Sequence, residues 1–281
     1  MKILVPVEEA IRRLRDSAFA KLRSFDWFQT TSMLSLKDDI ILVTKQFDDH
    51  QLTFSPRETI GRDLFRKGHY QRDLANRVLD LIGTPPGNIL LELGANIGTH
   101  SVYLMRSGKF DRAISVEPDP RNAKLLRQNL ALNDLSDAVS VFECAAGDGE
   151  GSIDLYFGDA NFGASSVIKP NGGSRSVEVP LRRVDGLLGE AGVSPGDIGL
   201  VWMDIEGAEP DALKSMSDLV QRRVPILMEY SPEKYGPAKA TATADYLASH
   251  YRRCIAFGAG GSEKETAIRD VVEQRDILLL P

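Results

Sequence analysis

LLELGANIGTHSVYL, residues 90–104, runs from an apolar strand composition through two glycines and an asparagine into helical spacing. A short, nearly continuous Ile/Leu run suits a strand buried on both faces. Gly94 and Gly98 then mark places where the backbone must turn or pass close to something else. Strand, tight turn and helix in that order form the ligand-binding corner of a doubly wound sheet. There the helix offers unpaired N–H groups and its positive dipole end to an anionic ligand.

The flanking sequence repeats the alternation. Upstream, QRDLANRVLDLIG carries Leu74, Val78, Leu81 and Ile82 at helical spacing, with Gly83 and then Pro85-Pro86 as terminators. Downstream come a helix over 97–107, the strand RAISVEP, and a helix capped by Asp119 with Pro120 in its first turn. The strand AVSVFEC follows. After an irregular stretch the order resumes with IGLVWMDI, a helix over 209–219, PILMEY, a helix over 238–250, and the strands RCIAF and DILLLP. No convincing helix joins those last two, so one is expected to run antiparallel. The fold class is therefore α/β: a doubly wound, mostly parallel, seven-stranded Rossmann-like sheet with an antiparallel strand. It occupies residues 71–281. Residues 1–70 read as an N-terminal extension, a helix followed by the hairpin DIILVTKQF–QLTFS, which caps the site or builds a homodimer.

A dinucleotide fingerprint is G-x-G-x-x-G, whereas this turn reads E-x-G-x-N-x-G. The middle glycine that admits a pyrophosphate is absent. Glu92, at the strand end, repels phosphate and can pair with an ammonium group. A ligand with both an amine and a carboxylate fits better, and S-adenosylmethionine (SAM) has both. Glu117 follows Gly98 by 19 residues, close to the offset of about 20 at which an acid accepts hydrogen bonds from ribose hydroxyls.

Composition narrows the function classes. The chain has 281 residues with a net charge of −6, which argues against a broad nucleic-acid surface. No apolar run approaches the roughly 18 residues of a membrane span, and MKILVPVEEAIRR does not read as a secretory signal. The basic residues between Arg12 and Arg23 lie opposite Ile11, Leu14, Ala18, Leu22 and Phe25, the pattern of an amphipathic helix with a solvated face. Cys144 and Cys254 are far apart and read as reduced thiols of a cytoplasmic protein.

VWMDIEGAEPDAL places Asp204, Glu206 and Glu209 within six residues at the end of a buried strand. Paired acids there need a reason. Two are open for the acids Asp204 and Glu206: a general base for a hydroxyl nucleophile, or a divalent-cation site in which Asp204 and Glu229 hold the ion, the less favoured of the two. Glu209 reads equally as a partner of the helix dipole. His100, on the first turn of the glycine-loop helix, is a further candidate base, with cofactor contact or plain packing as alternatives. Residues 158–176 form a long irregular segment, and Asn161, Ser165 and Ser166 in it are candidate contacts for substrate hydroxyls.

LELGANIGTHSVYL, VEPDP and VWMDIEGAEPDAL, in that order, resemble the FkbM-type methyltransferases, a branch of the class I SAM-dependent O-methyltransferases. GASSV ahead of VEVPLRRVDGLL matches the same pattern, and the resemblance covers roughly residues 70–250. It departs at Tyr70-Gln71, where the family often has a Glu after the aromatic. The resemblance implies SAM at Glu92, Gly94, Ala95, Asn96 and Gly98, with Asp204 beside the methyl group. It further implies the ribose at Glu117 and the adenine near Glu143 and Ala145. The expected activity is methylation of a hydroxyl on a small molecule, a sugar or a polyketide-like metabolite. Metal-dependent O-methyltransferases of this class carry an Asp at the strand end where Asp204 stands. The rival readings are a nicotinamide-dependent oxidoreductase and a non-catalytic module that keeps the fold.

Overall fold

A computed structural model describes residues 41–157, 165–169, 175–258 and 261–281. The amphipathic helix expected near the N-terminus and Asn161 lie outside the described residues. Those described fall into two compact units, 41–43 with 54–70, and 44–53 with 71–281. The expected hairpin is formed by β1 (Val43–Gln46) and β2 (Gln51–Phe54), closed where the Phe47 N–H donates to the His50 carbonyl at 2.8 Å. The smaller unit holds a helix absent from the sequence expectations, α1 (Thr59–Lys67), which ends at Gly68 with φ +82°.

In the larger unit α2 (Arg72–Ile82) stops at Gly83, φ +61°, two residues before Pro85. β3 (Ile89–Leu93), buried at all five positions, leads through the glycine turn into α3 (Thr99–Arg106). Then come β4 (Arg112–Val116), α4 (Pro120–Leu132) and β5 (Val139–Phe142). Asp119 caps α4 as expected, its carboxylate accepting the Arg121 N–H at 2.9 Å. The segments that break the rhythm pair with each other: β6 (Ala145–Gly147), β7 (Gly151–Tyr156) and β8 (Ser176–Arg183) make a separate sheet ordered β6-β8-β7.

The alternation resumes with α5 (Val184–Glu190) and β9 (Ile198–Met203). The single helix expected over 209–219 is two, α6 (Glu209–Ser215) and α7 (Ser217–Gln221), because Met216 leaves helical geometry at φ −122°. After β10 (Ile226–Tyr230) come α8 (Pro232–Tyr235) and α9 (Pro237–His250), and then β11 (Arg253–Phe257), β12 (Glu263–Thr266) and β13 (Arg275–Leu280).

The main sheet is ordered β12-β11-β13-β10-β9-β3-β4-β5. Neighbours from β10 to β5 are parallel, while β13 runs antiparallel to both β10 and β11. Seven strands are those expected. The eighth, β12, has the sequence EKET, whose lack of an apolar face hides it from pattern reading, and it forms as the antiparallel partner of β11. Strand order reverses between β3 and β9, so the glycine turn and the acids after β9 meet at one switch point.

Leu91, Val201 and Met228 of the sheet pack in one core with Leu187 of α5, Leu213 of α6 and Leu247 of α9. Burying each of these leucines contributes about 2 kcal/mol. Cys144 and Cys254 are free and buried, and burial pushes each thiol up to about 12. Among the described residues no helix is long and apolar enough to cross a membrane.

Candidate active site

The glycine turn is built on the ends of two neighbouring strands. The N–H groups of Gly94 and Ala95 both donate to the Val116 carbonyl of β4, at 2.9 and 3.0 Å. Gly94 takes φ +86° and Asn96 φ +52°, and the Gly98 N–H closes the turn on the Ala95 carbonyl at 2.9 Å. A Cβ at Gly98 would lie 2.6 Å from Leu126 Cδ1, so this glycine lets α4 pack against the start of α3. A Cβ at Gly94 would strike backbone: the close approach there is to β9's exit, not only to a ligand.

Beneath the turn Glu92 is fully buried. Its Oε2 accepts the Ser101 hydroxyl and, at 3.4 Å, the Ser115 hydroxyl, while Oε1 has no hydrogen-bond partner. Burial pushes its carboxyl up to about 8, against the two serine bonds. Glu117, at the end of β4, is gripped by backbone: Oε2 accepts the Asn96 N–H at 2.7 Å and Oε1 the Asp119 N–H at 2.8 Å. Burial raises it to about 7 despite those bonds. Its side chain therefore fixes the turn and the start of α4 to each other.

His100 stacks at 4.4 Å on Trp202, and its Nδ1 lies 4.0 Å from Glu92 Oε1. Burial lowers its imidazole to about 3, which keeps the ring neutral. Glu143 follows β5 on the surface and pairs with Arg127 at 2.8 Å, and Ala145 is buried at the start of β6.

On the other side of the switch point stands the acidic cluster. Asp204, Glu206 and Glu229 each place a carboxylate oxygen within 4.8 Å of the others. Asp204 Oδ1 is buried with no hydrogen-bond partner. Burial first, and then Glu229, Glu206, Glu209 and Asp276, raise its carboxyl well above the usual range. Lys234, from α8, reaches Glu206 at 2.5 Å and Glu229 at 3.4 Å. Glu209 turns inward instead: Oε1 accepts the N–H groups of Ile205 and Gly207 at 3.1 and 3.3 Å, which holds the turn open before α6. Glu229 and Asp276 also border an open cavity of about 1170 Å³ between α2 and the ends of β10, β11 and β13.

Ser165 and Ser166 span the two halves. The Ser165 hydroxyl donates to Asp119 at 3.2 Å, and that of Ser166 to the Glu206 carbonyl at 2.8 Å. Backbone pairing of Ser166 with Tyr156 anchors the segment. The serines expected to meet substrate are engaged within the protein. Lys234, Gln274 and Asp276 escaped sequence reading because SPEKY and EQRDI match no motif. The proximity of SPEKY to the end of β10 was the one available signal.

The model of the FkbM methyltransferase domain matches residues 92–254, more than half of the chain. The chain belongs to the FkbM methyltransferase family. Among related proteins, this FkbM enzyme is 28% identical over 181 residues to the 2-O-methyltransferase NoeI of Sinorhizobium fredii, covering 58% of the chain and 72% of NoeI. It is 26% identical over 178 residues to the methyltransferase sdnD of Sordaria araneosa, covering 53% and 68%. Among solved structures, it is similar to an O-methyltransferase from Bacillus cereus in complex with S-adenosylhomocysteine (SAH), at 12% identity and a TM-score of 0.44, over 75% of this chain and 80% of that one. By its family the chain is a SAM-dependent methyltransferase, and the nicotinamide-dependent oxidoreductase reading falls away.

Proposed function

We propose that this enzyme methylates a hydroxyl group of a small, polar acceptor. The reading rests on Asp204, whose unpartnered oxygen stands at the exit of β9, directly beside the glycine turn. SAM supplies a methyl group already activated by its sulfonium charge, so the protein's part is to position the reactants and accept a proton.

The residues around the turn fit the cofactor. Glu117 is fixed by two backbone N–H bonds and has lone pairs left for the ribose hydroxyls. An ammonium group would give Glu92 Oε1 the donor it lacks and would favour the ionised carboxylate. The positive end of the α3 dipole, after Gly98, suits the cofactor's carboxylate. His100, held neutral, stays on the cofactor side as packing. Glu143 and Ala145 border the adenine position.

Asp204 then takes the proton of the acceptor hydroxyl. Its raised pKa makes it a stronger base than a solvated carboxylate. The acceptor lies in the adjoining cavity, where Asp73, Arg77, Gln274 and Arg275 offer hydrogen bonds to a polar, hydroxyl-rich molecule such as a sugar. NoeI, a 2-O-methyltransferase by name, supports oxygen as the nucleophile.

The test is label transfer from methyl-labelled SAM to pooled sugars and secondary metabolites, with wild type and Asp204→Asn. A labelled methyl ether is expected from wild type. Asp204→Asn should lose turnover by about 100-fold or more with SAH affinity intact. Label appearing on nitrogen or carbon, or full activity in the variant, would refute the reading.

A further inference from the structure

Three carboxylates converging on one point invite a divalent cation, and the fold class includes enzymes that use one. The side chains here do not fit that ion. Lys234 lies against two of the three acids, its Nζ 2.5 Å from Glu206 Oε2 and 3.4 Å from Glu229 Oε2. The remaining oxygen of Glu229 accepts Gln274 Nε2 at 2.6 Å, and the Ser231 hydroxyl approaches Oε2 at 3.4 Å. A hard cation needs several oxygens free at once, and of the three acids Asp204 alone keeps a buried oxygen without a hydrogen-bond partner, while the ammonium already holds an oxygen of each of the other two.

The lysine is delivered by a defined local structure. Gly207, at φ +102°, has no side chain where a Cβ would come 3.3 Å from Lys234 Cβ and 2.4 Å from Ile168 Cδ1. The missing atoms leave a path for the lysine stem. Tyr235 fixes the other side of the turn, accepting the Ser231 N–H at 3.0 Å and packing edge-on against Tyr230. Burial works against the ammonium charge, but the bond to Glu206 and the charges of Glu206 and Glu229 outweigh it and raise the Lys234 pKa.

We propose that Lys234 is a positioning residue that stands where a divalent cation would sit, neutralising Glu206 and Glu229 and leaving Asp204 as the one acid open to the acceptor. The division of roles rests on the proposed function above. The site then needs no metal ion, because its cation is part of the chain. A second positive charge beside the ammonium would also be repelled.

The experiment measures Mn²⁺ binding to the full chain saturated with SAH, following the electron paramagnetic resonance signal of free Mn²⁺. Lys234→Met keeps the stem and removes the charge; Lys234→Ala is the second variant should the first fold poorly. SAH binding confirms that each variant is folded and tests the cofactor reading separately. Wild type and Lys234→Arg are expected to bind Mn²⁺ no tighter than about 1 mM. Lys234→Met should gain one Mn²⁺ site at least about tenfold tighter, abolished again by adding Glu229→Gln. A micromolar Mn²⁺ site in wild type that Glu229→Gln removes would overturn the proposal. So would a charge-removed variant that binds Mn²⁺ no better than wild type.

Discussion

A Cβ on Gly94 would stand 1.8 Å from the carbonyl oxygen of Asp204. The residue that turns the cofactor loop and the residue at the exit of β9 are therefore packed backbone to backbone. The Asp204 N–H adds a bond of 2.9 Å to the Leu93 carbonyl, immediately before the turn. Cofactor loop and proposed base are placed by one contact, which no side chain can enter.

Gly94→Ala adds both that clash and an unfavourable positive φ. We expect a loss of about 4 kcal/mol in folding stability, read from urea unfolding, together with loss of SAH binding by calorimetry. Retention of wild-type stability would mean that the two strand ends can move apart.

Glu117→Ala removes an acceptor from the Asn96 and Asp119 N–H groups and from the ribose position. SAH should bind about 100-fold more weakly, close to 3 kcal/mol. Unchanged affinity would remove Glu117 from the cofactor site.

Glu92 carries a pH signature. Its folded-state pKa is raised from 4.5 to about 8, chiefly by burial, so the fold favours the neutral carboxyl. That stabilisation is present in full below about pH 4.5 and is lost as pH rises through about 8. Glu92→Gln is neutral at every pH. Without ligand it should match wild type within about 1 kcal/mol at pH 5 and exceed it at pH 9. Parallel stability curves for the two proteins would contradict a buried, titrating Glu92.

Asn129 and Asn133, one turn apart on α4, stitch β2 to the helix. Asn129 accepts the Thr53 N–H at 2.7 Å and donates to the carbonyls of Thr53 and Ile97 at 3.1 and 2.8 Å. Asn133 accepts the Gln51 N–H at 3.0 Å and donates to its carbonyl at 2.7 Å. Asn129→Ala strands three buried backbone groups and should cost about 3 kcal/mol in unfolding free energy. A loss below about 1 kcal/mol would show that water replaces the amide.

The fold was legible because its signals are local. ILLEL and IGLVWM are too apolar for anything but buried strands, and Gly83, Asp119 and Pro120 punctuate the helices where punctuation was read. β12 was missed because its pairing with β11 comes from neighbours, not from its own pattern. The acids of MDIEGAE announced themselves as charge at a buried strand end. Lys234, Gln274 and the asparagine stitches did not, since a lysine near a strand end or an asparagine in a helix gains meaning only from what folding brings beside it. Ser165 and Ser166 read from sequence only as hydroxyls in an irregular segment, and the bonds they donate to Asp119 and the Glu206 carbonyl come from tertiary structure alone.

Among the described residues one edge of the main sheet is β12. An unpaired strand edge is a template for another strand, and a flat apolar one recruits neighbours into aggregates. Here Glu263, Lys264 and Glu265 are all exposed, while Glu263 is clasped by Arg77 and Glu265 by Arg253. A second copy approaching this edge would have to bury three charges and break two ion pairs to add its strand. Five residues at this rim, Glu263, Lys264, Glu265, Arg77 and Arg253, thus set a charge barrier against strand addition at β12.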